Sequence, residues 1–117
     1  MLLSMLRSKI HRATITAKHL DYDGSITIDP NLVSAAAMLP NEKVHVLNLN
    51  NGNRFETYII MGKPGNGEIG LNGPAARLGE VGDKVIIVAY ALVEEARAAE
   101  HRPIIVKVDD RNRAVKD

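Results

Sequence analysis

A mainly β domain, a small barrel or a sandwich, is what this sequence predicts. Three observations carry that expectation: many short segments rich in β-branched residues, turn residues between them, and few stretches of helical period. At 117 residues the chain makes a single domain, residues 1–117. Aromatic residues are only 3% of it, so the core must come from Ile, Val, Leu and Ala. A domain of this size buries a modest share of its surface, which favours a homo-oligomer.

Each element follows from local pattern. "KIHRATITA", Lys9 to Ala17, has period-two character and reads as a strand, although its even positions Ile10, Arg12, Thr14 and Thr16 are polar for a core face. Asp21 to Gly24 is a turn and Ser25 to Ile28 a short strand. "DPNLVSAAAMLP" reads as a short helix, with Asp29 as N-cap, Pro30 in the first helical position and Pro40 as its stop. "KVHVLNLN" alternates as a strand. Asn51-Gly52 signals a type I′ hairpin, in which both central residues take positive φ, and Arg54 to Met61 is the return strand. "GKPGNG" is a loop, "EIGLN" a short strand, and "GPAARL" a tight turn or one helical turn. "KVIIVAYALV" is a near-continuous apolar run, hence a strand buried on both faces. "EEARAAEHR" is a helical turn or a loop, and "PIIVKV" a last strand. The charge-dense end "DDRNRAVKD" reads as a frayed terminus, a flexible tail over about 109–117.

Composition removes several classes of function. The net charge is +1 with both signs mixed along the chain, which supplies no field for nucleic acid or an acidic membrane. The lack of cysteine excludes disulfides, thiol catalysis and Cys-based zinc sites. Histidines 11, 19, 45 and 101 show neither a helical i,i+4 pair nor facial-triad spacing, so no metal is expected. "MLLSML" is too short for the apolar part of a signal peptide, and no run nears the roughly 18 apolar residues of a membrane span. A soluble cytoplasmic protein is expected. "GKPGNG" has the composition of a phosphate loop, but a strand follows it where a helix N-terminus is needed.

Several polar residues are candidates for chemistry. In "RFETY" Arg54 is a fixed cation suited to gripping a carboxylate, and Tyr58 carries a weakly acidic hydroxyl. On a regular strand Arg54, Glu56 and Tyr58 share one face and Thr57 the other, so Thr57 and Tyr58 serve one site only at a bulge or a strand end. An exposed strand with a salt bridge accounts for the same residues without a function. Lys9 and His11 also share a face, as a cationic pocket or as ordinary solvent-side residues. Asn72 precedes a Gly-Pro turn, where Asn is common for backbone reasons. In "DYDGSITID" a Gly-Ser bond with a hydroxyl on its far side is able to break itself and leave a reactive carbonyl. These residues alone leave an enzyme and a non-catalytic β-barrel binding module both open.

Taken together, five blocks narrow the choice. "SKIHRATIT" at 8–16, "DYDGSITID" at 21–29, "NNGNRFETY" at 50–58, "GLNGPAARL" at 70–78 and "GDKVIIVAYA" at 82–91 resemble, in order and spacing, the bacterial aspartate 1-decarboxylase family. The resemblance covers about residues 1–108. It implies a small double-psi β-barrel with short helices, a homotetramer, and a proenzyme that cleaves itself into 1–24 and 25–117. It implies conversion of L-aspartate to β-alanine and CO₂ for pantothenate, and so coenzyme A, biosynthesis. By the family's chemistry Ser25 is the precursor of a pyruvoyl group that holds the substrate amine as a Schiff base, with no pyridoxal phosphate and no metal. Gly24 is the cleavage site, expected to tolerate a strained backbone. Thr57 is implied in self-processing and substrate binding, and Tyr58 as proton donor. Lys9, His11, Arg54, Asn72, Gly73, Pro74 and Ala75 are implied in substrate binding. Pro74 departs from the alanine expected there and has no N–H, so a backbone bond must come from Gly73 or Ala75. A degenerate member that assembles without cleaving would carry the same blocks.

Overall fold

The computed structural model describes residues 1–115. In chain order the elements are β1 (Leu2–Thr14), β2 (Ala17–His19), β3 (Ser25–Ile28), α1 (Pro30–Ala35), β4 (Lys43–Asn48), β5 (Arg54–Met61) and β6 (Ile69–Asn72). A 3₁₀ turn (Gly73–Arg77), β7 (Lys84–Glu94), a second 3₁₀ turn (Glu95–Glu100), β8 (Ile104–Val108) and β9 (Ala114–Val115) complete them. The strands run side by side as β2-β6-β3-β5-β4-β7-β1-β8-β9. Parallel pairs β2–β6 and β3–β5 are joined through the antiparallel pair β3–β6, a mixed sheet in keeping with a small β-barrel.

The ladder itself is not closed, yet the chain joins its two sides. β1 pairs with β7 and β8, and after only two residues the same run resumes as β2 against β6. Ile15 N donates to Asp83 O at 2.9 Å and Thr16 N to Ile69 O at 2.8 Å, so those two residues bridge the seam. Inside lie Ile10, Ile26, Ile28, Ile59, Leu71 and Ile87, all but sealed from solvent. Each such side chain contributes roughly 1.5–3 kcal/mol by leaving water. This is the aliphatic core that the low aromatic content demands.

The polar parity of the first strand has a physical cause. Arg12 takes φ +67, and the β1–β7 register shifts between Ile10 and Ala13. The extra residue of that bulge exchanges inside for outside. Ile10 is buried before it and Ala13 and Ile15 after it, so neither the even nor the odd set is wholly apolar.

Four further expectations change. α1 ends at Ala35, with Ala36 as C-cap and Ala37 at φ +55, several residues before Pro40. Gly52 alone takes positive φ (+78) in the β4–β5 hairpin, because Asn48 O and the Asn side chains tie a loop longer than a two-residue turn. β7 is buried on both faces only in its first half, and Tyr90, Leu92 and Glu94 are exposed. The expected loose tail is ordered as far as Val115. Asn112, 2% exposed, accepts from Thr14 N at 2.7 Å and donates to Thr14 O at 2.8 Å and Gly67 O at 2.7 Å. Residues 116 and 117 of that tail lie outside the described residues.

Candidate active site

The Gly24–Ser25 junction stands where an exposed turn, residues 21–23, enters the buried strand β3. Ser25 is 1% exposed and faces Asn72 across the antiparallel β3–β6 pair. Asn72 Nδ2 donates to Ser25 Oγ at 2.9 Å and to Thr27 Oγ1 at 2.9 Å. The serine hydroxyl itself donates over a long 3.4 Å to Asp23 O. Asn72 Oδ1 is buried and finds no hydrogen-bond partner among the described residues.

The glycine of this region that no side chain can replace is Gly73. Its φ is +63, and a Cβ there would come within 2.5 Å of Tyr22 O and 2.9 Å of Gly24 N. The turn after Asn72 therefore presses bare backbone against the junction, which no other residue type allows. Gly24 is not in the left-handed region. A Cβ on it would rest at an ordinary 3.4 Å from Pro74 Cδ.

A cleft of about 320 Å³ opens on the Gly24 side, lined by Gly24, Thr57, Tyr58, Pro74 and Ala75 among others. Thr57 and Tyr58 both reach it without a bulge, since β4 and β5 pair with no register shift from Arg54 to Tyr58. The strand end that makes this possible belongs to β3. Its pairing with β5 starts only at Ile26–Ile59, so the preceding part of β5 offers both faces around one open edge. Tyr58 is 38% exposed. Glu56 pairs with Lys43 Nζ at 2.5 Å, so the salt bridge of this strand goes to β4 and Arg54 enters no ion pair among the described residues.

A wider cleft of about 670 Å³ lies on another side, lined by Thr27, Asn72, His19, Tyr22, Lys63 and Glu68 among others. Asn72 and Thr27 thus connect the junction to it. Thr27 is the residue the sequence reading passes over. The period of two sets it on Ser25's face, and that signal was available.

Lys9 and His11 stand on β1, and neither lines these two clefts. Burial pushes the His11 imidazole below its ordinary value, and the cations Lys9, Arg12 and Lys107 push it further. Its Nδ1 is buried with no hydrogen-bond partner among the described residues. Among those residues, no three His, Cys, Asp or Glu side chains group as a metal would need, and no helix is long and apolar enough to cross a membrane.

Fold and junction define the class: a small β-barrel holding a buried serine at the head of a strand, beside an open cleft and under a glycine-led turn. The aspartate decarboxylase family model matches residues 1–115, and the chain belongs to that family. Among its relatives is a protein of Carboxydothermus hydrogenoformans named aspartate 1-decarboxylase, 58% identical over 99% of this chain and 91% of its own. Proteins of the same name from Caldicellulosiruptor saccharolyticus (60% identical, 99% of this chain, 91% of its own) and Dehalococcoides mccartyi (59%, 96% and 90%) are similarly close.

Proposed function

We propose that this chain cuts itself between Gly24 and Ser25 and then, as a pyruvoyl-dependent enzyme, converts L-aspartate to β-alanine and CO₂, providing β-alanine for pantothenate and coenzyme A biosynthesis. Family membership along nearly the whole chain supports the reaction. The observation that carries the self-cleavage is Ser25 Oγ, sealed from solvent, gripped by Asn72 Nδ2, and next to a carbonyl whose residue borders an open cleft.

Ser25 Oγ attacks the Gly24 carbonyl carbon and the amide becomes an ester. Thr57, on the Gly24 side, donates to the oxyanion that forms on the way. Loss of the ester by β-elimination, then hydrolysis with release of ammonia, leaves chains 1–24 and 25–117, the second headed by the pyruvoyl group. The pocket fits that group: Asn72 faces position 25, and the bare backbone of Gly73 leaves no side chain above the junction. The pyruvoyl group supplies the electron sink for the pair released with CO₂, without pyridoxal phosphate or a metal.

The remaining roles fall to side chains. Arg54, in no ion pair among the described residues, grips the carboxylate that stays, because holding the departing one would stabilise the ground state. Tyr58 returns a proton to the carbon that lost CO₂. Gly73 and Ala75 offer backbone N–H groups, and Pro74 shapes the wall. Lys9 adds positive charge and His11 orients groups near the cleavage site. Their strand does not border the Gly24 cleft, so we assign their contribution to a homotetramer in which a neighbouring copy completes the site. Exposed apolar Leu2, Tyr90, Leu92, Ile104 and Ile105 on β1, β7 and β8 suit such an assembly. A cytoplasmic location goes with this biosynthetic role.

Mass measurement on denatured protein tests the proposal. Two fragments broken at 24–25 are expected, with Ser25→Ala remaining whole, and borohydride with aspartate should add mass to the larger fragment only. A chain still intact and inactive after prolonged warming would overturn it.

A further inference from the structure

Thr27 has no part in the chemistry so far, yet it holds the group that holds Ser25. It stands two positions after Ser25 on β3, on the same face. The Asn72 amide has two N–H bonds to give. One goes to Ser25 Oγ and the other to Thr27 Oγ1, each at 2.9 Å. Nothing holds the other end of that amide, since Asn72 Oδ1 has no partner among the described residues. An amide held by one bond swings about its side-chain axis, and one held by two keeps its plane. Thr27 is itself fixed: a Cβ added at Gly62 or Gly70 would stand 3.1 Å from Thr27 Cγ2 or 3.4 Å from its Cβ. Two bare glycines therefore make the slot in which its side chain is wedged.

We propose that Thr27 is a positioning residue for self-cleavage: through the Asn72 amide it keeps Ser25 Oγ in the orientation from which it reaches the Gly24 carbonyl. The inference rests on the reading that the chain cuts itself. In that step the Oγ–C bond forms and the C–N bond breaks. The hydroxyl proton ends on the freed Ser25 amine, so ester and amine balance the amide and alcohol without a co-reactant. Asn72 N–H occupies one lone pair of Oγ and aims the other. Thr27 touches no reacting atom and acts only by keeping that donor in place.

Cell-free synthesis of the full chain starts the clock, and aliquots denatured and weighed give the fraction broken at 24–25 against time. Thr27→Val keeps the shape and removes the acceptor, and cleavage should slow about three- to ten-fold, the worth of one hydrogen bond. Thr27→Ser restores the acceptor and should return the rate to within about two-fold of wild type. Urea midpoints separate this from plain destabilisation. Serine leaves a small void and is the less stable replacement, so a merely structural role would make it the slower one. Thr27→Ala repeats the test if the valine variant misfolds, with the same slowing expected. Valine or alanine at the wild-type rate, or serine as slow as valine, overturns the inference while wild-type cleavage preserves the reading beneath it. A wild-type chain that never breaks overturns both.

Discussion

Replacing Asp29 by alanine should destabilise this protein by about 3–5 kcal/mol. Asp29 is 3% exposed and joins two elements. As N-cap of α1 it accepts from Asn31 N at 2.8 Å, worth about 1 kcal/mol. It also accepts from Gly65 N at 3.1 Å and Gly67 N at 2.7 Å, and each donor left unsatisfied costs about 1–2 kcal/mol more. Asp29→Asn keeps an acceptor without the charge and should lose roughly half as much. The measurement is urea unfolding at fixed protein concentration in the Ser25→Ala background, so that one uncut chain unfolds. A pH series adds a second check. Burial alone would raise this carboxyl's pKa, but the N–H groups of Asn31, Gly67 and Gly65, with Arg113 nearby, hold it below its ordinary 3.8. The folded protein then binds fewer protons there than the unfolded chain. Its contribution is complete above 3.8 and is lost as pH falls through the lower folded value. The gap between wild type and Asp29→Asn should therefore narrow below about pH 4. An alanine variant within about 0.5 kcal/mol of wild type, or a gap indifferent to acid, refutes the reasoning.

Three other outcomes are expected. Gly73→Ala forces a Cβ against Tyr22 O and Gly24 N, so cleavage by mass should slow more than about ten-fold and stability fall by about 2 kcal/mol; normal cleavage would mean the turn does not press on the junction. Tyr58→Phe should still cleave but turn aspartate over about 10²–10⁴-fold more slowly, read as β-alanine formed per mole of the cleaved chain; normal turnover removes its role as proton donor. The His11 imidazole resonance should titrate below the ordinary 6.5. A lowered folded value means stability is lost as pH falls from 6.5 through that value, and His11→Gln should flatten the stability profile there.

Local rules carried much of the fold. Asp29-Pro30 starts α1 because a carboxylate cap and a pre-set φ act over two or three residues, and Arg54 to Met61 matches β5 for the same kind of reason. What escaped was decided at longer range. The bulge at Arg12 defeats a period-two reading of β1, and only its register with β7 shows where the parity changes. Asn112 looks like one polar residue in a charged end until Thr14 and Gly67 are brought to it. The site divides in the same way. Ser25, Thr57, Tyr58, Asn72 and Pro74 were nameable from their motifs, and the barrel gathers them around one junction. That Gly73 must lack a side chain was not legible, because Tyr22 O and Gly24 N are brought against it by a loop crossing that no local pattern records.

Residues 2–19 form one thread through the barrel wall, clasped by β7 and β8 along one part and by β6 along the other. A cut after Gly24 would free this thread from its covalent tie yet leave it stitched in place. Melting such a nicked molecule releases two polypeptides, and renaturation turns into a second-order encounter. Heat-treated, processed protein should recover less as it is diluted, whereas the uncut Ser25→Ala precursor should suffer far less from dilution. Folding before cutting is, on this geometry, the only order in which the short piece reaches its groove unaided by mass action.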